Sequence, residues 1–151
     1  MRTDENSEID GIDREIIREL LAHARKSFRD LGLKVHLSPN ATAERVRRLV
    51  EAGIISGFHA EVDRTKLGQS LQAYIDIRLK PGTSAQTFQM SAAKLTGILS
   101  MASMTGALDF RLRVACKDQE DLVGLIESLR SKAGVQETNT SIILGEITRW
   151  V

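Results

Sequence analysis

The sequence predicts an α/β chain of two unlike halves, and three observations carry that reading. The first 50 residues hold three short segments whose apolar residues recur at helical spacing. From Leu71 onward the period switches to two, in strands broken by two helix-like stretches. Between them Asp63-Arg64-Thr65-Lys66-Leu67-Gly68-Gln69 is polar throughout and reads as a linker. The expected division is residues 1–62, a linker at 63–69, and residues 70–151.

Ile9, Ile12, Ile16, Ile17, Leu20 and Leu21 mark a first amphipathic helix, roughly Asp10 to Ala24, with Asp10 or Asp13 at its positive end. A second, shorter helix starts after the N-cap candidate Ser27 and buries Phe28, Leu31 and Val35. The third has the clearest punctuation. Ser38 can accept an orphan amide of the first turn, Pro39 follows where a missing N–H costs nothing, and Gly53 sits where a left-handed cap is wanted. Thr42, Val46, Leu49 and Val50 then share one face, while Asn40, Ala43, Glu44 and Arg47 share another. Two short helices joined by a tight turn make a helix-turn-helix, whose usual turn glycine is missing unless Gly32 plays a related role. After Gly53, Ile54 to Val62 alternates like a strand and reads as a small wing.

In the second half Leu71, Ala73, Ile75, Ile77 and Leu79 alternate strictly until Pro81-Gly82. Thr83 to Lys94 is helix-like, Ile98 to Met104 a strand, and Thr105-Gly106-Ala107 a turn. Leu108, Phe110, Leu112, Val114 and Cys116 alternate again. Asp118 caps a helix carrying Leu122, Leu125, Ile126 and Leu129, and Val135 to Trp150 supplies a last long strand. The order β-α-β-β-α-β is the split βαβ arrangement of ferredoxin-like folds. Such a domain leaves one sheet face bare, so its apolar strand faces predict self-association.

Composition narrows the function classes. With 42% hydrophobic residues in 151, the chain can bury a real core. No run approaches the roughly 18 apolar residues of a membrane span. The start, Met1 to Glu8, is polar and acidic, unlike a signal peptide, so a cytoplasmic protein is expected. Cys116 is the single cysteine, which excludes an internal disulfide and a cysteine-built zinc site. His23, His36 and His59 are scattered without metal or nucleophile spacing, so neither an enzyme nor a metal or cofactor is expected. The net charge is only +1, yet Arg14 to Arg48 holds nine basic residues against four acidic ones, a local +5. That concentration fits a module for double-stranded DNA. Asn40 can pair with adenine, Arg47 with guanine, and Glu44 can accept from cytosine, while Arg25, Lys26, Arg45 and Arg48 read as phosphate contacts. Arg45 has a second reading, an ion pair that holds the domain together.

Several runs in their order resemble the Lrp/AsnC (leucine-responsive regulatory protein/asparagine regulator) family of prokaryotic transcription regulators. They are Ile12-Asp13-Arg14-Glu15-Ile16, Leu37-Ser38-Pro39, Arg45-Val46-Arg47-Arg48-Leu49, Gly53-Ile54-Ile55-Ser56-Gly57-Phe58-His59-Ala60, Lys66-Leu67-Gly68 and Thr105-Gly106-Ala107-Leu108-Asp109. The resemblance implies a winged helix-turn-helix joined to a ferredoxin-like effector and oligomerisation domain. It also implies homodimers that assemble into octamers and bind amino acids between dimers. Gly106, Ala107 and Asp109 match the family's ligand turn, and Thr138 and Thr140 match threonines near the bound amino acid. A glycine turn exposes amides for an α-carboxylate, and Asp109 can meet an α-ammonium. The family turn is typically Gly-Asp-Tyr-Asp, so a carboxylate and an aromatic are replaced here by Ala107 and Leu108. The family's Asp-Gly-Arg after the first helix is His23-Ala24-Arg25. The competing readings are an amino-acid-binding oligomeric module without DNA function, and an architectural DNA-binding protein without effector response.

Overall fold

The computed structural model describes residues 9–147. They form two compact units, one within residues 9–61 and the other spanning Val62–Glu146.

In the first unit three helices, α1 (Gly11–Ala22), α2 (Phe28–Val35) and α3 (Pro39–Glu51), close on a small core. Ile16, Leu20, Leu31, Val35, Val46 and Leu49 fill it. Each helix starts on a side-chain cap. Asp10 accepts from the Asp13 amide at 2.8 Å and forms a capping box, Ser27 accepts from Asp30, and Ser38 from Ala41. Two residues expected inside are not. Phe28, at the first position of α2, is 46% exposed, and Val50 on α3 is 43% exposed, because the core stripe is narrower than the apolar pattern.

The turn between α2 and α3 has an unusual solution. His36 takes the left-handed conformation (φ 56°) that a turn glycine would ordinarily supply. Gly32, one turn earlier, has a different task. A Cβ there would sit 2.5 Å from the Leu37 carbonyl oxygen and 3.1 Å from Thr42 Oγ1, so only glycine lets the turn fold back onto α2.

The expected wing strand does not form among the described residues. No strand is present between α3 and Leu71, because the alternating run Ile54 to Val62 finds no neighbouring strand among the described residues to complete a ladder. The segment ends in a single 3₁₀ turn, Thr65–Leu67.

The second unit is β1 (Leu71–Leu79), α4 (Ala85–Ala92), β2 (Ile98–Ser103), β3 (Phe110–Cys116), α5 (Gln119–Lys132) and β4 (Val135–Ile142). All pairings are antiparallel in the order β2-β3-β1-β4, the ferredoxin-like arrangement. Ala73, Ile75 and Ile77 lie opposite Val114, Leu112 and Phe110, and this face packs on Phe88 and Ala92 of α4 and Leu122, Leu125 and Leu129 of α5. Phe88 and Phe110 meet with ring centroids 4.6 Å apart.

The last strand stops at Ile142, short of the expected Trp150: its ladder with β1 ends at the pair Ala73–Ile142, followed by one bond from the Ile143 amide to the Gln72 carbonyl at 2.9 Å. Trp150 itself lies outside the described residues, as do Met1 to Glu8. The apolar strand faces from which self-association is expected are not bare. The two helices cover the apolar face, and the opposite face is polar. There Arg111 makes a bidentate pair with Asp76 (2.7 and 3.0 Å), holding that carboxyl below the usual range, and its guanidinium lies 5.8 Å from the Tyr74 ring centre.

Cys116 is buried at the end of β3, and burial pushes its thiol pKa up to about 11. It is therefore expected to resist thiol reagents at neutral pH in the native protein and to react at once in denaturant. Rapid native-state labelling by a chromogenic disulfide would contradict this.

Candidate DNA interface and effector turn

The first unit presents α3 with its inner face locked and its outer face free. Thr42, fully buried, donates from Oγ1 to the Ser38 carbonyl at 2.9 Å, which ties the helix start to the turn. Ser38 is occupied as the N-cap, its Oγ 3.2 Å from the Ala41 amide. Asn40, Glu44 and Arg47 are exposed on the outer face, with Ala43 half-buried between them.

The arginines divide into three kinds. Arg45 points inward: its Nη1 donates to Asp10 Oδ2 at 2.7 Å and to Asp13 Oδ1 at 2.9 Å. The Asp13 side chain is only 5% exposed, so Arg45 neutralises a buried carboxylate. Of the two readings of Arg45, the ion pair is the one formed in the absence of DNA. The Asp13 amide, and after it the Arg45 guanidinium, hold the Asp10 carboxyl below its ordinary value. Arg48 stands 3.8 Å from Asp13 but is 55% exposed, so its charge still faces outward. Arg47 is 60% exposed and clasped by its own helix: Nε and Nη2 reach the two oxygens of Glu44 at 3.1 and 2.5 Å, and Nη1 reaches Glu51 at 3.1 Å.

Ahead of the helix-turn-helix, Lys26, expected as a phosphate contact, is half-buried and paired with Glu19. Arg25 beside it is exposed and without an ion-pair partner among the described residues. The same is true of Arg29 on α2, a cation that inspection of the third helix alone overlooks. Glu51 was missed as well, although its i+4 spacing from Arg47 is a readable signal.

In the second unit the loop Met104 to Asp109 joins β2 to β3, closed by the Met104 amide on the Asp109 carbonyl at 2.9 Å. Gly106 takes φ 104° with open space around it, which leaves its backbone accessible. The Ala107 carbonyl accepts from Arg78 Nε and Nη2 at 3.2 and 2.8 Å, fixing the loop to β1. Asp109 pairs with neither Arg111 nor Arg113. Its Oδ2 accepts from the Leu79 amide at 2.7 Å. It lines a shallow cleft of about 450 Å³ with Leu79, Pro81, Thr83, Met104 and Phe110.

Thr138 and Thr140 lie on β4, opposite Ile77 and Ile75, and Arg130 donates to Thr138 Oγ1 at 2.7 Å. Since the Asp109 amide bonds the Ile77 carbonyl on the other side of β1, one strand separates the threonines from the turn. Of the five expected effector residues only Asp109 lines the cleft, so a single copy of this unit does not gather them around one ligand. Among the described residues no three His, Cys, Asp or Glu side chains are placed to hold a metal, and no helix is long and apolar enough to cross a membrane.

Comparison with known proteins agrees with this arrangement. Residues 9–50 match the AsnC-type helix-turn-helix domain, and residues 72–149 the Lrp/AsnC ligand binding domain. The chain is 33% identical over 139 residues to the HTH-type transcriptional regulator Rv2324 of Mycobacterium tuberculosis, covering 92% of this chain and 94% of that one. It is similar in structure (TM-score 0.87, 28% identity, 95% and 94% coverage) to the transcriptional regulator NMB0573 of Neisseria meningitidis in complex with L-Met. It is also similar (TM-score 0.88, 27% identity, 94% and 96% coverage) to the feast or famine regulatory protein Rv3291c of M. tuberculosis complexed with L-methionine. A helix-turn-helix with an outward polar α3, followed by a ferredoxin-like unit of the matching type, makes this chain a member of the Lrp/AsnC family, a transcription regulator with a DNA-binding and a ligand-binding domain.

Proposed function

We propose that this regulator reads double-stranded DNA by laying α3 in the major groove, and that its second domain senses an amino acid. The observation that carries the first part is the outer face of α3, where Asn40, Glu44 and Arg47 project to solvent around the small Ala43. Asn40 faces adenine, Arg47 guanine and Glu44 a cytosine amino group, while Arg25 and Arg48 neutralise phosphates on either side. Arg47→Ala is expected to weaken binding to a cognate operator about tenfold, with little change in melting temperature. Unchanged affinity removes Arg47 from the reading set.

The L-methionine complexes of the two relatives support an amino acid as effector here. Gly106 and Asp109 offer backbone amides and a carboxylate for it, with Ala107, Thr138 and Thr140 completing the site when copies meet. The assembly we infer is a homodimer that builds an octamer, acting in the cytoplasm and without catalytic activity, with residues 1–62 on the DNA and residues 70–151 joining copies through the linker at 63–69. A second reading is favoured by one observation: Asp109 Oδ2 is already engaged by the Leu79 amide, and the family's second acidic residue is Ala107. On that reading the protein regulates without an effector.

Mobility of DNA from upstream of the protein's own gene, at two salt concentrations with and without an amino-acid mixture, separates these outcomes. A salt-sensitive, sequence-preferring shift that changes with the mixture supports both halves. A shift indifferent to the mixture supports the second reading. Sedimentation in the same buffers measures the assembly.

A further inference from the structure

We propose that Glu44, Arg47 and Glu51 act as one reading head, in which the two carboxylates hold the guanidinium toward a guanine and penalise every other register of α3 on the duplex. The inference rests on α3 being the reading helix.

The outward face of α3 is not basic. Arg47 stands between Glu44 at i−3 and Glu51 at i+4, so the three side chains together carry −1. A duplex presents one negative charge per about 1.7 Å, and a helix selected for affinity alone would not face it with two exposed carboxylates. They weaken binding wherever they meet phosphate. They cost least at a base edge that offers a donor, and the cytosine amino group is such an edge in the major groove.

The geometry adds positioning to this penalty. Glu44 takes Nε and Nη2 of Arg47, and Glu51 takes Nη1. Three of the five N–H donors are thereby used, and two remain on a guanidinium whose plane is fixed from both sides. Guanine presents two acceptors, O6 and N7, and so takes two donors. Each carboxylate has about four acceptor sites, so Glu44 keeps capacity for a cytosine N4 while still bonded to Arg47. The head is therefore specific for a guanine with a cytosine in the neighbouring pair. Glu51, which lies about two turns from Glu44, is a positioning and repelling residue rather than a base contact.

The test is random-sequence selection, followed by competition binding, on the full-length protein and four variants whose circular dichroism is compared first. Glu51→Gln is expected to bind non-operator duplex about fivefold more tightly and to lose discrimination between operator and competitor. Glu51→Asp, which keeps the charge, is expected to restore much of it. Glu44→Gln is expected to lose the cytosine preference about tenfold at one position and keep the guanine beside it. Arg47→Ala is expected to lose the guanine. If Glu44→Gln and Glu51→Gln select the wild-type sequence with wild-type competition, the reading head is overturned while α3 keeps its place. If Arg47→Ala also changes nothing, the placement of α3 falls with it.

Discussion

Gly32→Ala is expected to destabilise the DNA-binding unit by about 2–3 kcal/mol. In an ordinary helix the same exchange stabilises, by about 1 kcal/mol. Here the added methyl would lie 2.5 Å from the Leu37 carbonyl oxygen, a backbone atom that cannot swing aside like the tip of a side chain. Nor can the turn retreat, because the Leu37 amide is bonded to the Gly32 carbonyl at 2.9 Å and the left-handed His36 leaves it no slack. The second obstacle, Thr42 Oγ1, is fixed by its own bond to Ser38. Urea denaturation measures the loss. Gly124→Ala is the matched control: it sits inside α5 with open space at its Cβ, and is expected to stabilise by about 0.5–1 kcal/mol. A Gly32→Ala variant that behaves like the control would show that α2 and α3 do not approach so closely.

Arg45→Ala is expected to cost about 3 kcal/mol, because it strands the buried Asp13 carboxylate with only Arg48, at 3.8 Å, still near it. The variant also exposes a pH dependence. In the native protein the Asp10 carboxyl sits below its ordinary 3.8, so the stability it contributes is present above that pH and is lost as pH falls through the depressed value. Removing Arg45 takes away one cause of the depression, and the acid transition followed by circular dichroism should move to higher pH. Binding sharpens the contrast. Per folded molecule, Arg45→Ala should bind an operator as the parent does, whereas Arg47→Ala should fold as the parent does and bind worse. The reverse pattern would return Arg45 to the phosphates.

That contrast shows where the sequence was legible. Ser27, Ser38 and Asp118 announce helix starts because a cap is a bond across three residues, visible in any window of sequence. The alternation of Phe110, Leu112, Val114 and Cys116 is equally local, and so is the order of elements that makes the second unit ferredoxin-like. Arg45 and Arg47 look alike in the chain. Their difference comes from Asp10 and Asp13, more than 30 residues away, which no local pattern connects to one of them. The wing failed for a related reason: alternation over Ile54 to Val62 shows that a segment can be a strand, and only a partner makes it one. His36 was unreadable because a histidine in a left-handed turn violates the local rule, and the fold around Gly32 enforces it.

The solitary buried thiol at the end of β3 has a practical corollary. With no other cysteine in the chain, every modification event reports that one stretch of sheet has opened. When closing outruns the reagent, the labelling rate relative to an unstructured thiol gives the population of the open state, and at high reagent concentration it approaches the opening rate itself. The molecule thus carries an intrinsic stopwatch for the breathing of its ligand-binding unit, readable without an added probe, in which a bound effector would register as a slower tick.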